Sequence, residues 1–185
     1  MWLTKSYWLN TLYEEYQQVP QFEVLRANSP FVPGHGPTTT PLMIVGEAPG
    51  EREAEIGRPF VGPSGELLDG WLTRIGLPRE SVFVTNVVKY RPRANRTPDP
   101  YERVLSHPYL REEIRIIDPP LVLLCGRVAL DYLVPNAPVR DFYNKVIEKD
   151  GRLYLPTYHP SAALRDDEKE GLLGQTFLQI MAMIT

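Results

Sequence analysis

The sequence predicts an α/β protein: a three-layer α/β/α sandwich around a central, mainly parallel four-stranded sheet. Three observations carry that expectation. The apolar runs PLMIVG, VFVTNVV and LVLLCG are short and unbroken, as strands covered on both faces are. Segments with helical spacing alternate with them, the pattern of a parallel sheet with crossover helices. The chain of 185 residues, 43% apolar and 23% charged, suits one compact domain over residues 1–185 with no repeat or internal boundary.

Taken in order, Trp8, Leu12 and Tyr16 recur every four residues and mark an amphipathic helix over 6–18. SPFVPGHGPTTTP is loop, and PLMIVG is the first strand. A long glycine- and proline-rich loop, GEAPGEREAEIGRPFVG, leads into a helix whose face is Leu67, Leu68, Trp71, Leu72 and Ile75. Ser64 is its predicted N-cap and Gly76 its stop. VFVTNVV, residues 82–88, is β-branched and forms the second strand. After the loop KYRPRANRTPDP, Pro108 is placed in the first turn of a helix carrying Leu110, Ile114 and Ile117. LVLLCG is the third strand, followed by a short helix around 128–133. VIEKDGRLYLPTY reads as a hairpin turning at Asp150-Gly151, with its last strand ending before His159. Leu172, Leu173, Phe177, Ile180 and Ile184 share one face of a closing helix.

In such a sheet, ligands gather at the carboxyl ends of the strands. Glu47, Asn86 and His159 leave those ends. Glu47 either caps backbone N–H groups or faces a substrate and orients a water. Phe60 is either core or a platform for a planar ring. Asn86 offers a donor beside an acceptor, which can read a nucleobase edge. His159 is either a local cap or a group of the same site. No nucleotide phosphate cradle is expected: no GxxxxGK[ST] or GxGxxG is present, and Glu47, Glu51, Glu53 and Glu55 would repel a polyphosphate. No metal-ligand spacing joins His35, His107 and His159, so no metal site is expected. Cys125 is the only cysteine, which rules out an intrachain disulfide and reads as an inert thiol inside a strand. The net charge of −3 gives no global case for nucleic acid. Lys89, Arg91, Arg93 and Arg96 in KYRPRANR do form a local basic patch, suited to backbone phosphates. The opening MWLTKSYWLN lacks a signal-peptide layout, and no run is long enough for a membrane span.

VPGHG (32–36), GEAPG (46–50), GRPFVGPSGELL (57–68), VFVTNVVKYRPRANRTP (82–98) and YHPSAALR (158–165) together resemble the uracil-DNA glycosylase superfamily, family four in particular, over about residues 31–165. The resemblance implies removal of uracil from DNA by hydrolysis of its N-glycosidic bond. It implies Glu47 and His159 as the catalytic pair, with Ala48, Pro49, Gly50, Phe60 and Asn86 binding the base. Lys89, Arg91, Arg93 and Arg96 would contact DNA, and Ser161, Ala162, Ala163, Leu164 and Arg165 would form the loop entering the minor groove. Family-four enzymes also hold a [4Fe–4S] cluster through four cysteines. Their counterparts here are Tyr90, Ser106 and positions near Phe22 and Leu25, so no cluster and no other cofactor is expected.

The expected partner is uracil-containing DNA, single- or double-stranded, engaged by a monomer with no membrane attachment. The expected setting is the cytoplasm of a bacterium or archaeon, or of a phage host, with nucleoid association through DNA. Two alternatives stay open on sequence: a non-catalytic DNA- or uracil-binding member, and a glycosylase for another deaminated base.

Overall fold

The computed structural model describes residues 4–184. The chain enters through α1 (Lys5–Gln18), capped by the Thr4 hydroxyl accepting from the Tyr7 N–H. A 3₁₀ turn, Pro20–Phe22, and the short α2 (Glu23–Asn28) follow. The sheet begins with β1 (Leu42–Gly46), whose side chains alternate between two cores. Met43 and Val45 join one core with Leu9, Tyr16, Phe22 and Ile114, while Leu42 and Ile44 join the other with Leu68, Leu72 and Phe177. A strand apolar at every position is therefore buried on both faces.

The next segment is not a plain loop. It contains α3 (Glu51–Ile56), closed at Gly57 in a left-handed conformation, φ 77°. Only Ala54 of this helix is buried, so it carries no apolar stripe to signal it. Next, α4 (Pro63–Arg74) is capped by Gly62 rather than Ser64, because Pro63 takes the first helical position. Gly76 does end that segment, with φ 71°.

β2 (Phe83–Asn86) is shorter than the apolar run containing it. α5 (Pro100–Ile117) starts well before the predicted Pro108, which lies inside the helix. The Asp99 carboxylate accepts from the Glu102 N–H at 2.9 Å, and Glu102 accepts from the Asp99 N–H at 2.8 Å. That reciprocal cap sets the helix start. The carbonyl left without its helical donor at Pro108 is that of Val104, a residue 64% exposed, so water can replace the missing N–H.

β3 (Leu121–Cys125), α6 (Arg127–Asp131) and α7 (Val139–Phe142) precede the hairpin of β4 (Ile147–Lys149) and β5 (Arg152–Thr157). Asp150 and Gly151 both take positive φ, 53° and 70°, as a tight hairpin turn of matching twist requires. The chain closes with α8 (Pro160–Ala163) and α9 (Asp167–Ile184).

The sheet order is β2-β1-β3-β5-β4. Neighbours from β2 through β5 are parallel, and β4 adds a fifth strand, antiparallel, at the edge. The α/β sandwich is thus as predicted, with one more strand from the hairpin. α1 packs on α5 on one face, and α4, α8 and α9 pack together on the other. Among the described residues, no helix is long and apolar enough to cross a membrane.

Candidate active site

The carboxyl ends of β1, β2 and β5 meet at one cavity. Gly46 and Asn86 are register partners at the ends of adjacent strands, so Glu47 follows one wall and the Asn86 side chain forms the next. Glu47, Ala48, Pro49, Gly50, Phe60, Asn86, Arg96, His159 and Ser161 all line this cavity.

Close backbone approach shapes it. A Cβ on Gly46 would lie 2.4 Å from Asn86 Oδ1 and 2.6 Å from the Phe60 ring, so only glycine lets both side chains converge there. Phe60 has φ 55°, a strained conformation for an aromatic residue, and its ring stacks on His159 at 5.6 Å between centroids. The loop is held in place by Glu53. Its carboxylate accepts from the N–H groups of Gly50 at 3.1 Å, Val61 at 2.9 Å and Gly62 at 2.8 Å. One side chain therefore ties GEAPG to GRPFVG. Glu53 is a residue that sequence reasoning counted only as a repelling charge. The signal that would have found it is its place three residues after Gly50, at the start of a helix. Pro92 and Asn95, not singled out from the sequence, also line the cavity, as does Ser64, expected there only as a helix cap.

The Asn86 carboxamide forms no hydrogen bond to any described residue, and Asn86 is 3% exposed. Its donor and acceptor face the cavity, ready for a planar partner. His159 Nδ1 accepts from the Ser161 N–H at 3.1 Å and lies 2.8 Å from the Ser161 hydroxyl. An acceptor at Nδ1 puts the proton of the neutral ring on Nε2. Enclosure pushes the His159 pKa down to about 4, against the opposing charge of Glu53. Glu47 moves the other way: burial raises its pKa, opposed by the Thr97 hydroxyl and by Arg103 and Arg127. A neutral imidazole donor and a partly desolvated carboxylate thus sit in one cavity, the environment in which proton-handling groups are tuned.

Two members of the predicted DNA surface are elsewhere. Lys89 is 1% exposed and pairs with Glu113 at 2.7 Å, so its ammonium cannot reach a phosphate. Ala163 is 2% exposed and packs in the core beside Phe177, while Ser161, Leu164 and Arg165 are exposed and Ala162 is half-buried. Of the remaining basic residues, Arg93 and Arg96 are exposed. Arg91 is held by Asn95 at 2.6 Å and Glu51 at 3.1 Å, and Arg96 by Glu102.

Comparison with known proteins identifies the family. The family model described as the uracil DNA glycosylase superfamily matches residues 33–181. The chain belongs to that superfamily. It is 38% identical to the type-4 uracil-DNA glycosylase of Sulfurisphaera tokodaii, over 80% of this chain and 72% of that one. The corresponding protein of Saccharolobus solfataricus is 35% identical over 93% of this chain and 84% of its own. That of Thermotoga maritima is 40% identical over 75% and 74%.

The iron–sulfur cluster of family-four enzymes does not fit these residues. Phe22, Leu25, Tyr90 and Ser106, at or near the positions that the resemblance gives to its cysteines, are all buried. They surround an aromatic plug. Tyr16 stacks on Phe22 at 4.6 Å and lies 5.9 Å from Tyr90, while its hydroxyl is 2.9 Å from Ser106 Oγ. Side chains fill the space, and no thiolate is present to hold iron. Among the described residues, no group of three or more His, Cys, Asp or Glu side chains is placed to hold a metal ion.

Proposed function

We propose that this chain flips uracil out of DNA and hydrolyses its N-glycosidic bond, leaving an abasic site. The observation that carries the reading is the cavity itself. An aromatic face, an unpaired carboxamide, a neutral imidazole and a carboxylate converge at strand ends, in a chain similar to proteins named type-4 uracil-DNA glycosylases.

Each group has a role its chemistry fits. A base inside a duplex is out of reach, so it must leave the stack at a cost of a few kcal/mol. Uracil then lies on the Phe60 ring, which is apolar and flat. The Asn86 carboxamide donates to uracil O4 and accepts from N3–H; cytosine, with an amino group at position 4, presents a donor where Asn86 needs an acceptor. His159 donates from Nε2 to O2, where negative charge gathers as the base departs. A donor fixed beforehand in a partly dry cavity stabilises that charge without reorganising. Glu47 orients the attacking water and offsets positive charge on the sugar. Ala48, Pro49 and Gly50 line the wall beside the base. Arg91, Arg93 and Arg96 bind phosphates around the entrance. Leu164, 48% exposed, enters the space the base vacates, flanked by Ser161, Ala162 and Arg165.

The test is incubation of purified protein with oligonucleotides carrying one uracil, single- and double-stranded, followed by alkaline cleavage. Strand scission at the uracil position is expected. Intact strands after prolonged incubation with excess protein, despite DNA binding, would favour a non-catalytic relative. Scission only at hypoxanthine would move the substrate to another deaminated base.

A further inference from the structure

Beneath Asn86 lies a buried polar network that takes no direct part in the chemistry above. Lys89 Nζ donates to Glu113 Oε2 at 2.7 Å, to the Asn86 backbone carbonyl at 2.8 Å and to the Thr85 hydroxyl. All three ammonium donors are therefore used. The Glu113 carboxylate in turn receives the Thr85 hydroxyl, 3.1 Å from both its oxygens, and the Tyr13 hydroxyl. Tyr13 accepts from the Gly34 N–H at 3.0 Å, which extends the network to the VPGHG loop. A Cβ on Gly34 would lie 2.5 Å from Glu113 Oε1, so glycine lets that loop close over the carboxylate.

The location of the capped carbonyl matters. β2 is an edge strand. Val84 uses its outer N–H and C=O on His35, both at 2.8 Å. Two residues on, the Asn86 carbonyl faces the same edge, beyond the reach of that bridge. Lys89 supplies its partner. We propose that Lys89 and Glu113 are positioning residues for uracil recognition, holding the Asn86 backbone so that its carboxamide meets the base in one orientation. The inference rests on the glycosylase reading above.

Stability alone is a weak account of this pair. Lys89 is 1% exposed and Glu113 0%, and a buried ion pair often stabilises no more than apolar side chains of similar size. Apolar replacements cannot hold the Asn86 carbonyl. Burial pulls the Lys89 pKa down, and the Glu113 carboxylate beside it opposes that pull. The carboxamide the pair steadies lies against Gly46, next to where the Phe60 ring also packs, so a small backbone shift would misdirect it.

The experiment compares wild type, Lys89→Met/Glu113→Leu, Asn86→Ala and the combination of all three changes. The pair replacement removes both charges together, which leaves no orphaned ion to unfold the core. Lys89→Met/Glu113→Gln, which also removes both charges and keeps the shape of the carboxylate, serves in its place if that variant does not melt cooperatively. Single-turnover rates on a uracil-containing oligonucleotide are read at saturating enzyme, with DNA affinity measured separately. The pair replacement is expected to slow uracil release about tenfold or more while DNA affinity stays within about twofold. In the Asn86→Ala background the same change should add no further loss, because the amide it positions is gone. A folded pair variant with the wild-type rate, or a loss that multiplies with that of Asn86→Ala, would overturn the inference. Failure of the wild-type protein itself to release uracil would instead remove the glycosylase reading, and this inference with it.

Discussion

The aromatic plug makes a strong quantitative prediction. Phe22 is fully buried, stacked on Tyr16 at 4.6 Å and set 6.3 Å from Tyr90. Phe22→Ala removes a whole ring from the packed core it shares with Tyr16 and Tyr90. The lost transfer energy and the cavity left behind together amount to about 3–5 kcal/mol. For a chain of this length each kcal/mol lowers the melting temperature by about 2–4 °C, so a drop on the order of 10 °C is expected. Tyr16→Phe is the companion variant. Its hydroxyl accepts from the Lys89 N–H at 3.2 Å and pairs with Ser106, so its loss strands a buried donor at a cost of about 1–3 kcal/mol. Both would be measured by thermal and urea unfolding, with and without an iron chelator. The chelator should change nothing, and the purified protein should be colourless. A loss below about 1 kcal/mol for Phe22→Ala, or iron bound in stoichiometric amount with a chelator-sensitive melt, would refute the reasoning.

Three further outcomes are expected. Asn86→Asp replaces an amide donor with a charged acceptor, and single-turnover cleavage of uracil should fall by a factor equivalent to about 2–4 kcal/mol; undiminished cleavage would move recognition elsewhere. On acidification, Glu47 titrates first, since its pKa is raised above 4.5 while that of His159 is lowered to about 4. The rate should therefore fall as Glu47 takes up its proton, and Glu47→Gln should abolish that limb at a low, flat rate. Because a raised acid pKa means the native state resists ionisation, stability from this site is lost as pH rises, so Glu47→Gln should also melt higher than wild type at neutral pH. Arg93→Ala should weaken DNA binding and flatten its salt dependence by about one unit of slope, with little change in rate at saturating enzyme, whereas an unchanged slope would take Arg93 off the phosphate path.

The strands were legible because burial on both faces leaves an unmistakable record. PLMIVG and LVLLCG are apolar throughout, and Asp150-Gly151 has the chemistry its turn demands. The site was legible because strand ends bring Glu47, Asn86 and His159 together. What stayed hidden depended on partners distant in sequence or on local energetics that leave little pattern. Lys89 looks like its neighbours in KYRPRANR until Glu113, 24 residues away on α5, draws it inside. α3 buries only Ala54 and shows no periodicity, although the Gly50–Glu53 spacing marks its start. Pro108 reads as a helix opener, but the Asp99–Glu102 cap fixes the start at Pro100. Ala163 faces inward because α8 packs against both α4 and α9, contacts that a short loop sequence does not reveal.

The account stands most directly on one comparison: single-turnover uracil release and DNA affinity, measured side by side for wild type and His159→Ala. His159 presents its Nε2 proton because Ser161 occupies Nδ1, so the bond to departing uracil strengthens as the glycosidic bond breaks. Wild type should convert uracil-containing strands to abasic product. His159→Ala should bind the same DNA about as tightly and react about a hundredfold to a thousandfold more slowly. Wild-type protein that binds uracil-containing DNA yet yields no abasic sites, with the variant binding equally well, would contradict the enzyme reading at its centre.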